Sequence, residues 1–369
     1  MAKYIKGYID TDVLTEAKKR IKHIINTFDK IYVCFSGGKD SLAVLHLTQE
    51  VYDELGITEK INVIFRDEEV IPDEVINFVT SYYESGRYNF YYYCVPLKST
   101  KFILGKTYEY IQWDPNREWV RQKPPFAITL EEGDNRIFDQ YTMDAFCVAG
   151  VNGKIAFLTG IRADESLVRL ASCLNKKNEN YICATEANNV KLCKPIFDWS
   201  QNDVFKYFYD RGIQYCTIYD NQTFNGDALR VATPLHAECS KRIGKLRTLY
   251  PEFYERIINV FPEVILQDKY WDSLDRFGIC WSYEHTFDGI MRYIDEHITD
   301  PKQKRLAAQR VATVYTTRVN KMKTEQGKRN YGGYPVLYVF KQIINGNFKR
   351  AIQPCVNPTK QMLEYENSK

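Results

Sequence analysis

Strand–turn–helix units in series predict an α/β fold: a doubly wound, mostly parallel sheet followed by a helical, basic carboxyl-terminal region. Three observations carry this expectation. The apolar run Ile31-Tyr32-Val33-Cys34-Phe35 stops at Ser36-Gly37-Gly38, and a helical pattern follows at once. The same order returns with Ile61-Asn62-Val63-Ile64-Phe65 and a helix from Pro72 to Tyr83. A third run, Ile155-Ala156-Phe157-Leu158-Thr159, again ends in a glycine, Gly160. Short apolar runs bounded by turn residues are the mark of strands buried on both faces.

Before the first strand, Val13, Leu14, Ala17, Ile21, Ile24, Ile25 and Phe28 recur at helical spacing, with Lys18, Lys19 and Arg20 between them. After Gly38, Leu42, Ala43, Leu45 and Leu47 repeat that spacing. Residues 98–150 differ: they hold Trp113, Trp119, Pro124-Pro125 and the acidic turn Glu131-Glu132-Gly133-Asp134. This stretch is expected to be an insertion between strands, serving as a lid or a substrate-facing excursion. Beyond about residue 225 helical periodicity takes over, as in 242–261. The expected division is therefore an α/β domain over 1–225, with the insertion at about 98–150, and a mainly helical region over 226–369, basic from about 301. A length of 369 residues fits two domains.

Composition excludes several classes. Apolar residues at 44% and charged residues at 26% are globular values, so disordered and fibrous chains drop out. No apolar run is long enough to cross a membrane. The amino terminus lacks the apolar core of a signal peptide, so a cytoplasmic protein with reduced thiols is expected. The ten cysteines contain no C-x-x-C pair, and Cys173, Cys183 and Cys193 are ten residues apart, so no iron–sulfur cluster is expected. His236-Ala237-Glu238-Cys239 puts two metal-ligand types in one turn, with no second pair beside it. The net charge of +3 is uneven. Residues 300–350 carry twelve Lys and Arg against Asp300 and Glu325, a net of +10, leaving −7 on the rest. Such a basic region suits a polyanion, DNA or RNA, as well as a solvated helical face.

The strongest chemical signal is Ser36-Gly37-Gly38-Lys39-Asp40-Ser41, set between a strand and a helix. Two glycines let backbone amides turn inward, and the helix amino end adds partial positive charge, which makes a nest for phosphate. Ser36 and Ser41 add hydroxyl donors, Lys39 a point charge, and Asp40 a ligand for phosphate-bound magnesium. The spacing is neither that of the Walker loop nor that of the G-x-G-x-x-G turn.

With these residues the chain resembles the PP-loop ATP pyrophosphatases, the adenine-nucleotide α-hydrolase-like superfamily, and within it the phosphoadenosine-phosphosulfate (PAPS) reductase branch. Ile64-Phe65-Arg66-Asp67 places Asp67 where that family has an acidic residue near the adenosine. Val70-Ile71-Pro72-Asp73-Glu74 is similar to its hydrophobic–Phe–Pro–Glu segment, while Glu68-Glu69 replaces its common Thr-Gly, so the local backbone is expected to differ. Gly160-Ile161-Arg162-Ala163-Asp164-Glu165-Ser166-Leu167-Val168-Arg169 resembles its Gly-x-Arg-x-x-Glu-Ser-x-x-Arg motif. From the residues, Arg162 and Arg169 can converge on phosphate or sulfate while Glu165 orients a guanidinium; alternatively they tie helix to sheet. Lys194-Pro195-Ile196-Phe197-Asp198-Trp199 through Asp203-Val204, with Ser200 and Asp203 as a capping box, and Tyr219-Asp220 extend the likeness across roughly 30–220.

The reductases' carboxyl-terminal Glu-Cys-Gly-Leu-His motif is absent; Cys239 and Cys355 stand in other contexts. The resemblance implies an enzyme that binds ATP or PAPS, with magnesium, and transfers an adenylyl group or sulfur, nucleic acid being one acceptor. It also implies a ParB- or sulfiredoxin-like protein as a possible companion. The implied catalytic residues are Lys39, Asp40, Arg162 and Arg169. Ser36, Gly37, Gly38, Ser41, Asp67, Gly160 and Glu165 complete the nucleotide site. The alternative is a nucleotide-responsive nucleic-acid-binding protein without turnover, using residues 302–350 with Tyr331, Tyr334, Tyr338, Phe340 and Phe348 as stacking rings.

Overall fold

The computed structural model describes residues 8–174, 179–185, 189–226, 229–271 and 277–367. Helix α1 (Val13–Thr27) begins where the Thr15 amide donates to the Asp12 carboxylate, and it buries Ala17, Ile21 and Ile24. Strand β1 (Lys30–Cys34) leads through the glycine turn into α2 (Lys39–Leu55), which ends on left-handed Gly56. Strand β2 (Asn62–Arg66), helix α3 (Asp73–Glu84) and strand β3 (Asn89–Tyr93) follow. A hairpin of β4 (Leu97–Ile103) and β5 (Lys106–Gln112) and helix α4 (Gln140–Cys147) precede β6 (Ile155–Leu158). Then come α5 (Leu167–Ser172), β7 (Ile182–Ala184), β8 (Val190–Cys193), α6 (Gln201–Arg211) and α7 (Ile218–Phe224).

The main sheet has the order β3-β2-β1-β6-β8-β7, parallel except for β7. Consecutive strands run outward from β1 to β3, and the chain then returns to lay β6 on the other side of β1. That reversal makes the β1/β6 boundary a switch point, where a crevice opens at the strands' carboxyl ends. Both faces are covered. Ile31, Val33, Val63, Phe65, Ala156 and Leu158 pack in one cluster, whereas Tyr32, Ile64, Ile155 and Phe157 pack in another. The two-residue alternation of a strand turns apolar runs into two cores. The capping box at α6 forms as expected: the Asp203 amide donates to the Ser200 hydroxyl at 3.2 Å, and the Ser200 amide donates back to the Asp203 carboxylate at 2.7 Å.

Of the stretch expected to be a lid or a substrate-facing excursion, residues 113–121 are bolted to the end of β2. The Glu69 carboxylate, wholly buried, accepts from Arg117 at 2.6 and 2.7 Å and from the Trp113 and Val120 amides at 2.6 and 3.1 Å. Asp67 accepts from the Tyr92 hydroxyl at 2.7 Å and pairs with Arg121, while the Trp113 indole donates to its carbonyl at 2.7 Å. Glu69 has φ +64°, a conformation glycine adopts without cost. The charged bonds from Arg117 offset the strain, so a glutamate keeps a glycine-type turn here.

The described chain forms two compact units. The first runs to Ile103 and continues over Thr107–Asp268, retaining α8 (Gly244–Leu249) and α9 (Pro251–Val260). The helix expected over 242–261 breaks at Tyr250 (φ −140°, ψ 63°), because Pro251 has no amide to continue the ladder and opens a new helix instead. The second unit takes Leu104–Lys106 and Lys269–Lys369. After α10 (Val264–Tyr270), its helices are α11 (Phe287–His297), α12 (Pro301–Lys321), α13 (Glu325–Arg329), α14 (Val336–Ile344) and α15 (Lys360–Glu364). Tyr334, Phe340 and Phe348 are buried in its core with Ile290, Val311 and Leu337, so these three rings are not the stacking platform expected of them. Among the described residues, no helix is long and apolar enough to cross a membrane.

Glu69→Ala should strand Arg117 and two buried amides and cost about 3–5 kcal/mol. Chemical denaturation should show the loss, and limited proteolysis should open the chain near residues 113–121 first; an unchanged midpoint would refute the anchoring role.

Candidate active site

The loop after β1 is shaped by contacts on three sides. Gly37 sits at φ +73°, and a Cβ there would lie 2.7 Å from Val79 and 2.9 Å from Val75, so α3 leaves room for glycine alone. Within the turn, the Ser36 amide donates to the Ser41 hydroxyl at 3.1 Å, which donates to the Gly38 carbonyl at 2.9 Å. The Lys39 amide, at the start of α2, donates to the Tyr219 hydroxyl at 2.8 Å. From the other side the chain leaving β6 reaches Gly160, where a Cβ would sit 2.4 Å from the Asp40 carbonyl carbon and 2.6 Å from the Ser41 nitrogen. The glycine at the end of the third run is thus a contact surface for the loop.

Charge closes the same junction. The Lys39 ammonium, 3% exposed, lies 2.8 Å from one Asp40 oxygen and donates to the Leu229 carbonyl at 3.3 Å. Arg162, also 3% exposed, places Nε 2.7 Å from the other Asp40 oxygen and Nη1 2.8 Å from Asp164. The Nε approach is an ion pair by distance without the alignment of a hydrogen bond. Burial draws the Lys39 pKa down, against the opposing pull of Asp40. Arg169 pairs with Glu165 one turn away, and its pKa falls through burial and then through Arg230 nearby.

Two cavities open here, each of about 410 Å³. The first is lined by Ser36, Gly38, Lys39, Asp40 and Ser41, facing Gly160, Glu165 and Arg169. Eight expected site residues therefore meet around one space. Gly37 shapes the turn from beneath it, and Arg162 lines a smaller recess with Lys39 and Glu165. Asp67 lines none of these spaces; its oxygens are spent on Arg121, Tyr92 and the Glu69 amide. Asp40, expected to hold magnesium, has its carboxylate between two cations. Among the described residues no set of three His, Cys, Asp or Glu side chains gathers as a metal site. A carboxylate neutralised in this way does not fit a metal ligand.

The second cavity shares Cys34, Ser36, Thr159 and Ile161 with the first, and adds Phe35, Ile64, Phe157, Arg66, Glu68 and Asp144. Arg66 pairs with Asp144 on α4, so the insertion does contribute to this wall. Neither Glu68 nor Tyr219 is among the expected site residues; Tyr219 figures in the sequence only through the turn it shares with Asp220. The three-acid run 67–69 at a strand end was the available signal. With Asp67 and Glu69 turned inward, Glu68 is left to face the cavity. Burial, and then the Asp67 charge, push its carboxyl up to about 7. Burial likewise pushes the Cys34 thiol up to about 12.

Residues 146–257 match the family described as phosphoadenosine phosphosulfate reductase domain. That span contains the Gly160–Arg169 and Lys194–Val204 motifs but not the 36–41 loop. The "Uncharacterized protein YbdN" of Escherichia coli (strain K12) is 32% identical over 211 residues, covering 53% of this chain and 52% of that protein. The chain thus spans about half the length of the curated relative it matches. Among solved structures, Candida glabrata FMN adenylyltransferase with FMN and the ATP analogue AMPCPP aligns at 15% identity and a TM-score of 0.39, over 58% of this chain and 64% of that one. Phosphoadenylyl-sulfate (PAPS) reductase from Candida auris aligns at 15% identity and a TM-score of 0.34, over 58% and 94%.

A carboxyl raised from 4.5 to about 7 binds its proton more tightly in the folded chain, so stability attributable to Glu68 is lost as pH rises from 4.5 through about 7. Glu68→Gln should therefore stabilise the protein at pH 8, by about 3 kcal/mol, and leave it nearly unchanged at pH 4.5. Thermal unfolding of both forms across that range would measure it; parallel curves would exclude the shift.

Proposed function

We propose, for a chain that is PAPS reductase-like over residues 146–257, an adenine-nucleotide-dependent transferase with its phosphate site in the loop of residues 36–41. The observation that carries this reading is the convergence of that loop, the α2 amino end, Gly160, Glu165 and Arg169 on one cavity at the sheet's switch point. The adjoining cavity, with Phe35, Ile64 and Phe157, offers an apolar surface for a base. An incoming polyphosphate competes with Asp40 for Lys39 and with Tyr219 for the Lys39 amide. Catalysis then rests on positioning and charge neutralisation.

ATP and adenylyl transfer are favoured over thiol attack on PAPS sulfur by the state of the nearby cysteines. Cys34 lines both cavities but is a protonated thiol, and burial also raises Cys239. Neither is an activated thiolate. In the adenylyl version an acceptor attacks the α-phosphorus and pyrophosphate leaves. Calorimetry should detect ATP binding by the wild type, and Gly160→Ala or Lys39→Ala should weaken it by about tenfold or more. Tighter binding of PAPS would reverse the choice of nucleotide, and uptake of neither would end the proposal.

A second reading, nucleic-acid binding by the second unit, is favoured by the exposure of Lys302, Arg305, Lys323, Arg329, Lys349 and Arg350. Single-stranded and duplex DNA or RNA titrated at two salt concentrations should show affinity falling steeply with salt. Absent or salt-independent binding would remove it.

A further inference from the structure

We propose that Cys183 is an oxidation site, where a hydroperoxide turns the thiol into a sulfenic acid that Lys194 captures as an N–S cross-link. The three cysteines spaced by ten residues differ in their surroundings. Cys173 and Cys193 are buried, and burial raises both thiols, Cys193 to about 12. Cys183, on the edge strand β7, is half-buried and within reach of a small oxidant. Its sulfur also lies against a buried cation. Lys194, 2% exposed, donates to Cys183 Sγ at 3.2 Å, to the Ser172 hydroxyl at 2.8 Å and to the Ser172 carbonyl at 3.4 Å. Among the described residues no carboxylate pairs with this ammonium. A buried cation without an opposing charge is costly. Of its three partners, the Cys183 thiol is the one able to become an anion. Partial exposure beside an ammonium is the setting of a reactive cysteine.

The step balances with hydrogen peroxide as the oxidant. The thiol, which donates to the Ser172 carbonyl at 3.4 Å, gives its proton to water. Its sulfur attacks a peroxide oxygen, and the S–O bond forms as the O–O bond breaks. Lys194 protonates the departing hydroxide, so water leaves and a neutral amine stands beside the sulfenic acid. That amine attacks the sulfur and the N–S bond forms. Hydroxide leaves with the S–O electron pair and takes the amine's proton as a second water. Sulfur has lost two electrons and the peroxide has gained them. The new bond withdraws Lys194 from Ser172. Ser172 Oγ itself donates to the Arg169 carbonyl at 2.7 Å. The change therefore falls on the carboxyl end of α5, the helix whose Arg169 lines the loop cavity.

The full-length chain, treated with hydrogen peroxide and digested, should yield a peptide joining Cys183 to Lys194 with the loss of two hydrogens. Dithiothreitol should reverse it. Before oxidation, iodoacetamide should alkylate Cys183 ahead of Cys173 and Cys193, and Lys194→Met should slow that reaction by about tenfold. In the same variant peroxide should carry Cys183 to its oxyacids without a cross-link. Cys173→Ser should keep the cross-link. Cys183→Ser, which leaves a hydroxyl against Lys194, should fold as the wild type does and form none. A disulfide between Cys173 and Cys183 in place of the cross-link would overturn the site. So would equal alkylation rates with and without the Lys194 ammonium, or a Cys183 that peroxide leaves unmodified.

Discussion

The Asp40 carboxylate, shared between Lys39 and Arg162, is the contact on which the rest of the site depends. It joins the turn after β1 to the segment after β6, two pieces of chain separated by more than a hundred residues and brought together by parallel pairing of their strands. Neither cation could be buried to 3% exposure without an opposing charge. The steric contact of Gly160 with the Asp40 backbone lies at the same place. Charge and shape therefore set the same distance, and the cavity beside them is bounded by both.

A second set of buried acids does comparable work at the end of β2. Asp67 and Glu69 face inward and hold the segment 113–121, which leaves Glu68 between them facing out. The three acids follow β2 in a turn whose left-handed residue is Glu69, and with its two neighbours anchored Glu68 is the one that lines the cavity. The insertion is thus structural at its root and contributes to the cavity through Asp144 on α4.

Much of this was legible in the sequence. The runs at 31–35, 61–65 and 155–160 became β1, β2 and β6 because parallel strands buried on both faces need continuous apolar sequence. Residues 36–41 and 160–169 met because both follow central strands. Strands β7 and β8 escaped notice: Ile182–Ala184 and Val190–Cys193 are too short for a period to show. The role of Asp67 was not visible either, since its partners Arg121 and Tyr92 are set by tertiary contacts rather than spacing. The aromatics of 331–348 are ambiguous for a related reason. A ring among lysines has the same local sequence whether it faces solvent or, as Phe340 does, a helical core.

The Tyr219 hydroxyl on the Lys39 amide ties the loop to α7. That amide is a donor for which an anion bound in the loop, as proposed, would compete. The same helix carries Gln222, which clasps the Arg230 backbone. One short helix therefore braces two walls of the loop cavity at once, through a side-chain hydroxyl on one and a side-chain amide on the other.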